Sequence, residues 1–257
     1  MTAAPGTLLL VPNTLDALAG PRPAGALDRS LPHDVIRRAA SLAHWVVENA
    51  KSARAFLKRV DAVAPLALPL PSISIVELPR PPKGPGSAAR AAEFEPLLAP
   101  LLAGHDVGLL SEAGLPGVAD PGAALVAAAH GAGLRVWPLA GPSAITLALA
   151  ASGLEGQSFA FVGYLPTEAA ARAARLRELE AQSRRLRQTQ IAIETPYRNA
   201  ALFDALLANL APATRLAASV GLTLDDGWCR TETVARWREA RPALPGDLPA
   251  VFAWLAP

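Results

Sequence analysis

Asp106–Gly122 reads DVGLLSEAGLPGVADPG, an apolar run that passes directly into a segment crowded with glycine and proline. Asp106–Leu110 predicts a strand, and its unbroken apolar core is that of a strand buried on both faces of a parallel sheet. Gly114, Pro116, Gly117, Pro121 and Gly122 then exclude regular structure until a helix begins, predicted over Gly122–His130. In open parallel sheets ligands bind beyond the carboxyl ends of the strands, where glycine lets backbone approach the ligand. The stretch therefore predicts an α/β fold and a ligand loop at the sheet edge. The arrangement recurs downstream, with a strand over Leu134–Leu139, a tight loop at Ala140–Ser143 and a small-residue helix beyond.

Outward from this stretch, strand-like runs alternate with helical patterns, as in βαβ units. Thr7–Val11 predicts the first strand. His33–Asn49 predicts a helix with Val35, Ile36, Ala39, Leu42, Ala43, Val46 and Val47 on one face, continuing over Ala50–Val60. Ser72–Leu78 alternates as a strand, Pro79–Gly86 reads as a loop exposing Arg80 and Lys83, and Ala88–Gly104 reads as a helix. From Gln157 the texture becomes α+β. Here the expected elements are strand Phe159–Tyr164, a helix from Thr167 as N-cap to about Gln188, strand Gln190–Glu194, helix Ala200–Leu210, strand Leu216–Leu222 and strand Ala250–Leu255.

The chain has 257 residues, of which 51% are hydrophobic and 18% charged, the composition of a packed protein. A formal net charge of +2 is small beside 24 basic and 22 acidic residues and argues only weakly for a polyanionic partner. A single cysteine, Cys229, excludes an internal disulfide framework and fits a reducing compartment, so a cytoplasmic location is expected. His33, His44, His105 and His130 show no metal-binding spacing, and no metal is expected. Met1–Gly6 carries no basic side chain and the following apolar run stops at Pro12, too short for a signal-peptide core. Val136–Leu154 is uncharged and approaches the length of a membrane span, but Pro138 and Gly141-Pro142 would break a spanning helix; no membrane is expected.

After the first strand the chain reads Pro12-Asn13-Thr14-Leu15-Asp16, without the glycines that cradle a dinucleotide pyrophosphate, and no Walker loop occurs. NAD and ATP are thus disfavoured. S-adenosylmethionine, a ligand without phosphates whose adenine and ribose take backbone hydrogen bonds and apolar contacts, suits Gly/Pro loops.

The order of four segments carries a resemblance. SEAGLPGVADPG, LRVWPLAGPSAI, VGYLP and IETPYR are collinear over roughly Asp106–Arg198, and together they resemble the tetrapyrrole methylase superfamily, closest to its branch of bacterial small-subunit ribosomal RNA cytidine 2′-O-methyltransferases. That resemblance implies a two-domain fold, with a parallel five-stranded N-terminal sheet over 1–141 and an α+β domain with a mixed sheet over 142–257. It further implies S-adenosylmethionine in a cleft between the domains, and a homodimer. The cofactor-binding positions carried over are Pro12, Gly114, Leu115, Pro116, Val118, Ser143, Ala144, Ile193 and Ser219; those facing substrate are Tyr164, Tyr197 and Arg198. The implied activity is methyl transfer to RNA. A methylase of a tetrapyrrole or other small molecule is the alternative, as is a degenerate, non-catalytic scaffold that binds the cofactor. The sequence departs from the branch in the first loop, which lacks its glycine. It also departs at Glu48-Asn49-Ala50-Lys51-Ser52-Ala53-Arg54, the remnant of a Glu-Asp-Thr-Arg segment, and at Ser219-Val220-Gly221-Leu222-Thr223, where an Arg-Glu pair is replaced by uncharged residues.

Methyl transfer demands in-line positioning, and a base only where the nucleophile must lose a proton. Glu194, Glu112 and Asp120 are the catalytic candidates on matched loops. Each has a plainer reading: Asp120 as a cap on the following helix, Glu194 as a partner of Arg198 organising a turn, and Glu112 as an exposed residue after a strand. The arginines of Thr167–Gln188, namely Arg172, Arg175, Arg177, Arg184, Arg185 and Arg187, read either as a phosphate-binding ridge or, with Glu178 and Glu180 between them, as a solvated face.

Overall fold

A computed structural model describes residues 4–18, 25–79 and 93–257, which form two compact units, the first running to Ser143 and the second beginning at Ala144. The expected loop positions Arg80 and Lys83, and the first residues of the helix expected from Ala88, lie outside the described residues.

In the first unit the strands are β1 (Thr7–Val11), β2 (His44–Val47), β3 (Ser74–Glu77), β4 (Val107–Leu110) and β5 (Arg135–Pro138). They form one five-stranded sheet in the order β3-β2-β4-β1-β5, and every pairing is parallel. The helices are α1 (His33–Ser41), α2 (Ala50–Asp61), α3 (Glu95–Leu102) and α4 (Ala123–Gly131). Leu9, Val11, Trp45, Val47 and Leu110 face α1 and α2, burying Ile36, Ala39, Phe56, Leu57 and Val60. Leu8, Val46, Val107 and Leu109 face α3 and α4 on the other side, against Leu98, Leu101, Leu125 and Ala129. Helices on both faces explain why the central strands β1, β2 and β4 are almost wholly apolar, whereas the edge strands β3 and β5 carry Ser74, Glu77 and Arg135.

The helix expected over His33–Asn49 is in fact α1 followed by β2. Leu42, Ala43, Val46 and Val47 extend the helical period by coincidence, whereas Trp45-Val46-Val47 is a fully buried run that the sheet claims on both faces. Asn49 then starts a separate helix, its side-chain oxygen accepting from the N–H groups of Lys51 (2.9 Å) and Ser52 (3.1 Å).

The second unit holds α5 (Ala144–Ser152), β6 (Phe159–Gly163), α6 (Ala169–Leu186), β7 (Thr189–Glu194), α7 (Asn199–Asn209), β8 (Arg215–Val220), β9 (Trp228–Thr233), α8 (Val234–Glu239) and β10 (Ala250–Leu255). Its sheet runs β6-β7-β10-β8-β9; β6 and β7 are parallel and the remaining pairs antiparallel. Val251 and Ala253 turn toward α5, while Ala250, Phe252 and Trp254 turn toward the larger core with Leu176, Phe203 and Trp237. This is the mixed-sheet α+β layout expected, with β9 and α8 as additions. The cap of α6 is Glu168 rather than Thr167: its carboxylate accepts from the N–H groups of Ala170 (2.8 Å) and Ala171 (2.6 Å). On the same helix Arg175 pairs with Glu178 at 2.7 Å, Arg177 donates to Asn209 and Arg184 to the carbonyl of Pro257. That is the pattern of a solvated, internally paired face.

Candidate active site

Parallel strands deliver their following loops to one end of the sheet, so 12–16, 48–49, 111–122 and 139–143 gather beyond the carboxyl ends of β1, β2, β4 and β5. The chain leaves β1 toward β2, on one side, and leaves β4 toward β5, on the other. The neighbouring strands β1 and β4 thus form the topological switch point, the position at which open α/β sheets take ligands.

The two loops that leave this point are tied together. Asn13 and Gly114 exchange backbone hydrogen bonds of 2.8 and 3.1 Å, and the buried Asn13 amide donates to the carbonyls of Ser111 (3.3 Å) and Glu112 (2.8 Å). Pro12 is buried against Gly141, where an added Cβ would collide with the proline ring. The shortened first loop is braced from below. Thr14 hydrogen-bonds Asp16, and Arg59 on α2 reaches Thr14, Asp16 (3.2 Å) and the carbonyl of Gly25 (2.8 Å). Burial opposes ionisation of Asp16, but bonds from Thr14, the Gly25 N–H and Arg59 outweigh it and hold the carboxyl below its ordinary range.

The 111–122 loop places Gly114, Gly117, Ala119 and Gly122 at positive φ, which turns successive backbone groups in unusual directions. Leu115 is half-buried, Pro116 buried and Val118 exposed. Ser111 Oγ is buried and has no hydrogen-bond partner within the protein. Ser143 is buried and Ala144 half-buried at the start of α5.

Three carboxylates converge here. Glu48, directly after β2, accepts from the N–H of Glu112 at 3.1 Å while its own N–H donates to the Leu110 carbonyl. Burial raises the Glu48 carboxyl, with the Glu112 charge adding to it against the hydrogen bond. Asp120 does not cap the following helix: the N-cap residue of α4 is Gly122, and no side chain caps it. Instead burial, and then the charges of Glu48 and Glu112, push Asp120 up to about 7. Glu48 was legible only as the remnant of a family segment; its sequence signal is an acid placed immediately after a buried strand.

The remaining predicted positions lie in the second unit. Glu194 is buried at the end of β7, its Oε1 accepting from Thr195 N–H (2.7 Å) and from Arg198 Nε (3.0 Å) and Nη2 (2.7 Å), the turn-organising arrangement. Tyr164 and Tyr197 are exposed and Arg198 half-buried. Ile193 is half-buried on β7, and Ser219, buried on β8, donates to Cys229 Sγ at 3.0 Å. Among the described residues no group of three or more His, Cys, Asp or Glu side chains is arranged to hold a metal ion, and no helix is long and apolar enough to cross a membrane.

Known proteins bear on this architecture. The ribosomal RNA small subunit methyltransferase I of Xylella fastidiosa is 45% identical over 92 residues, covering 36% of this chain and 34% of that protein. Its namesake in Mesorhizobium japonicum is 40% identical over 138 residues, 54% of this chain and 46% of the relative. The chain thus spans between about a third and a half of the curated relatives it matches. Among solved structures, the methyltransferase CobJ superposes with a TM-score of 0.57 at 15% identity, covering 99% of this chain and 100% of the other. Uroporphyrin III C-methyl transferase from Thermus thermophilus does so at 0.52 and 14%, covering 97% and 96%. These likenesses bear out the two-sheet fold. The family model for Tetrapyrrole (Corrin/Porphyrin) Methylases matches residues 37–237, from within α1 to within α8, and the chain belongs to that family.

Proposed function

We propose that this chain is an S-adenosylmethionine-dependent methyltransferase acting on RNA, its substrate a ribose 2′-hydroxyl of a cytidine in small-subunit ribosomal RNA. The observation that carries the reading is Asp120 on the loop at the switch point of a parallel sheet, where burial and then the charges of Glu48 and Glu112 hold its carboxyl up at about 7. A ribose hydroxyl is a poor nucleophile until its proton is taken, and a base is most effective when its pKa lies near the working pH.

The first unit fits the cofactor. Ser111 Oγ, buried without a partner, offers a hydrogen bond that the protein leaves unused. Beside it, Gly114, Leu115, Pro116 and Val118 present backbone and apolar surface, with Pro12, Ser143 and Ala144 from the neighbouring loops. When bound, S-adenosylmethionine supplies an electrophilic methyl group on a cationic sulfur, and three carboxylates suit a cation. Asp120 takes the hydroxyl proton. Burial, and after it the charges of Glu48 and Glu112, maintain its proton affinity, and Glu48 fixes the start of the loop through the Glu112 N–H. Tyr164, Tyr197 and Arg198 offer a substrate-facing surface on the second unit. The names of the ribosomal relatives support an RNA substrate, and homodimer formation is part of the proposal.

The test is transfer of a labelled methyl group to small-subunit ribosomal RNA. Turnover should rise with pH to a plateau above about 7. Asp120→Asn should lower it about 10²- to 10⁴-fold and remove that dependence while cofactor affinity is retained. Undiminished turnover in the variant would sink the assignment of the base. Methylation of a tetrapyrrole but not of RNA would replace the substrate, and cofactor binding with no turnover on either would favour the scaffold.

A further inference from the structure

We infer that Tyr164, Tyr197 and Arg198 form a stacking platform for an unpaired base of the RNA, a deepening that rests on the function proposed above. Because β6 and β7 are parallel neighbours, the residues that follow them emerge at the same end of the second sheet. Tyr164 directly follows β6, and Tyr197 lies three residues beyond β7. The two residues are 58% and 75% exposed, in a unit that buries Phe203, Trp237, Phe252 and Trp254 completely. Two largely exposed tyrosines brought to one sheet end next to a cation form a local aromatic patch of the kind that binds a partner.

The third member is fixed in place. Glu194, itself buried, takes Nε and Nη2 of Arg198, leaving one guanidinium nitrogen for an incoming group. The guanidinium carbon lies 5.4 Å from the Tyr197 ring centroid, and Tyr164 is within electrostatic reach of the same cation. Two aromatic faces and a planar cation, set on a turn stiffened by Pro196, match how proteins hold splayed RNA bases, which stack on aromatic rings and on guanidinium planes. The exposure separates this class of ligand from a tetrapyrrole. Small molecules are enclosed in concave sites that bury most of their surface, whereas a polymer gathers affinity from open contacts along its length. Four of the six arginines of this segment, Arg172, Arg175, Arg177 and Arg184, already bond within the protein, which leaves the aromatic pair as the more distinctive feature of the unit.

The chain contains 2 tyrosines, both in the platform, so ring-labelled tyrosine reports on this site alone. A short single-stranded pyrimidine RNA added to the labelled protein should move both sets of ring resonances upfield, and an abasic strand of equal length should leave them in place. Tyr197→Ala should weaken RNA binding roughly ten- to hundredfold and Tyr197→Phe should hardly change it; the exposed position leaves the melting temperature of either variant unaltered. Equal shifts with the abasic strand, or undiminished affinity in the Tyr164→Ala, Tyr197→Ala double variant, would overturn the platform while RNA methylation still stood. Shifts with uroporphyrin and none with RNA would overturn the platform and the RNA reading together.

Discussion

The two sheets are alike in size and in being sandwiched by helices, yet they build surfaces of different kinds. The first is parallel throughout, so four loops arrive at one end and the candidate site is a cradle of loops, with positive-φ glycines enclosing an orphan hydroxyl and a carboxylate cluster. The second is mostly antiparallel, and only β6 and β7 release chain in the same direction by parallel pairing. What it offers there is side chains, two exposed tyrosines and an anchored arginine. Strand direction thus decides whether a sheet end becomes a cradle of loops or a display of side chains.

Cutting into each core tests how far the two units are separate. Trp45→Ala and Trp237→Ala each remove a fully buried indole and should destabilise by about 3–5 kcal/mol. Hydrogen exchange followed unit by unit should show the loss mainly around the altered tryptophan. Equal loss of protection in both units would erase the distinction between them.

The cradle itself is tested at Asn13. Asn13→Ala strips the Ser111 and Glu112 carbonyls of their donor and leaves Thr14 N–H without its acceptor, a cost of about 2–3 kcal/mol by chemical denaturation. Cofactor affinity should fall with it. Unchanged affinity would show that the loops hold their shape without the tie.

A smaller effect separates the acid cluster from ordinary surface carboxylates. Asp120 is raised in the folded protein, so the native state holds an extra proton between the ordinary carboxylate range and about 7. Its contribution is therefore favourable at low pH and lost as pH rises through that window. Asp120→Asn should be more stable than the parent at pH 8, by up to about 2 kcal/mol once solvent screening is allowed for, and the gap should narrow to less than half by pH 5 and close toward pH 4. A gap of the same size at both pH values would mean that the gain comes from packing rather than charge.

Much of the first unit was legible because parallel strands covered on both faces leave unbroken apolar runs, and the glycine-proline segment after β4 marks its own ligand loop. What escaped notice was set by neighbours distant in sequence. β2 was hidden because Leu42–Val47 continues the period of α1, and only its place between β3 and β4 makes it a strand. β9 reads WCRTET, a half-exposed edge strand in which polar residues outnumber apolar ones. Glu168 took the cap expected of Thr167 because the helix starts a residue later. The glycine-proline loop after β4 was visible in the sequence, but the elevation of Asp120 comes from burial and then from Glu48, 72 positions away along the chain, which no local pattern announces. Arg59 likewise reaches the first loop from α2, and helical periodicity says only that it is exposed or half-buried.

The tie between Asn13 and Gly114 also bears on how such a site can be rebuilt. Each segment is the template on which the other takes its shape, and Pro12 seats against Gly141 besides. Transplanting a longer, glycine-bearing first loop from a relative would thus import half of a matched set. A graft that aims to change ligand preference has to carry 12–16, 111–114 and 141 as one inherited block.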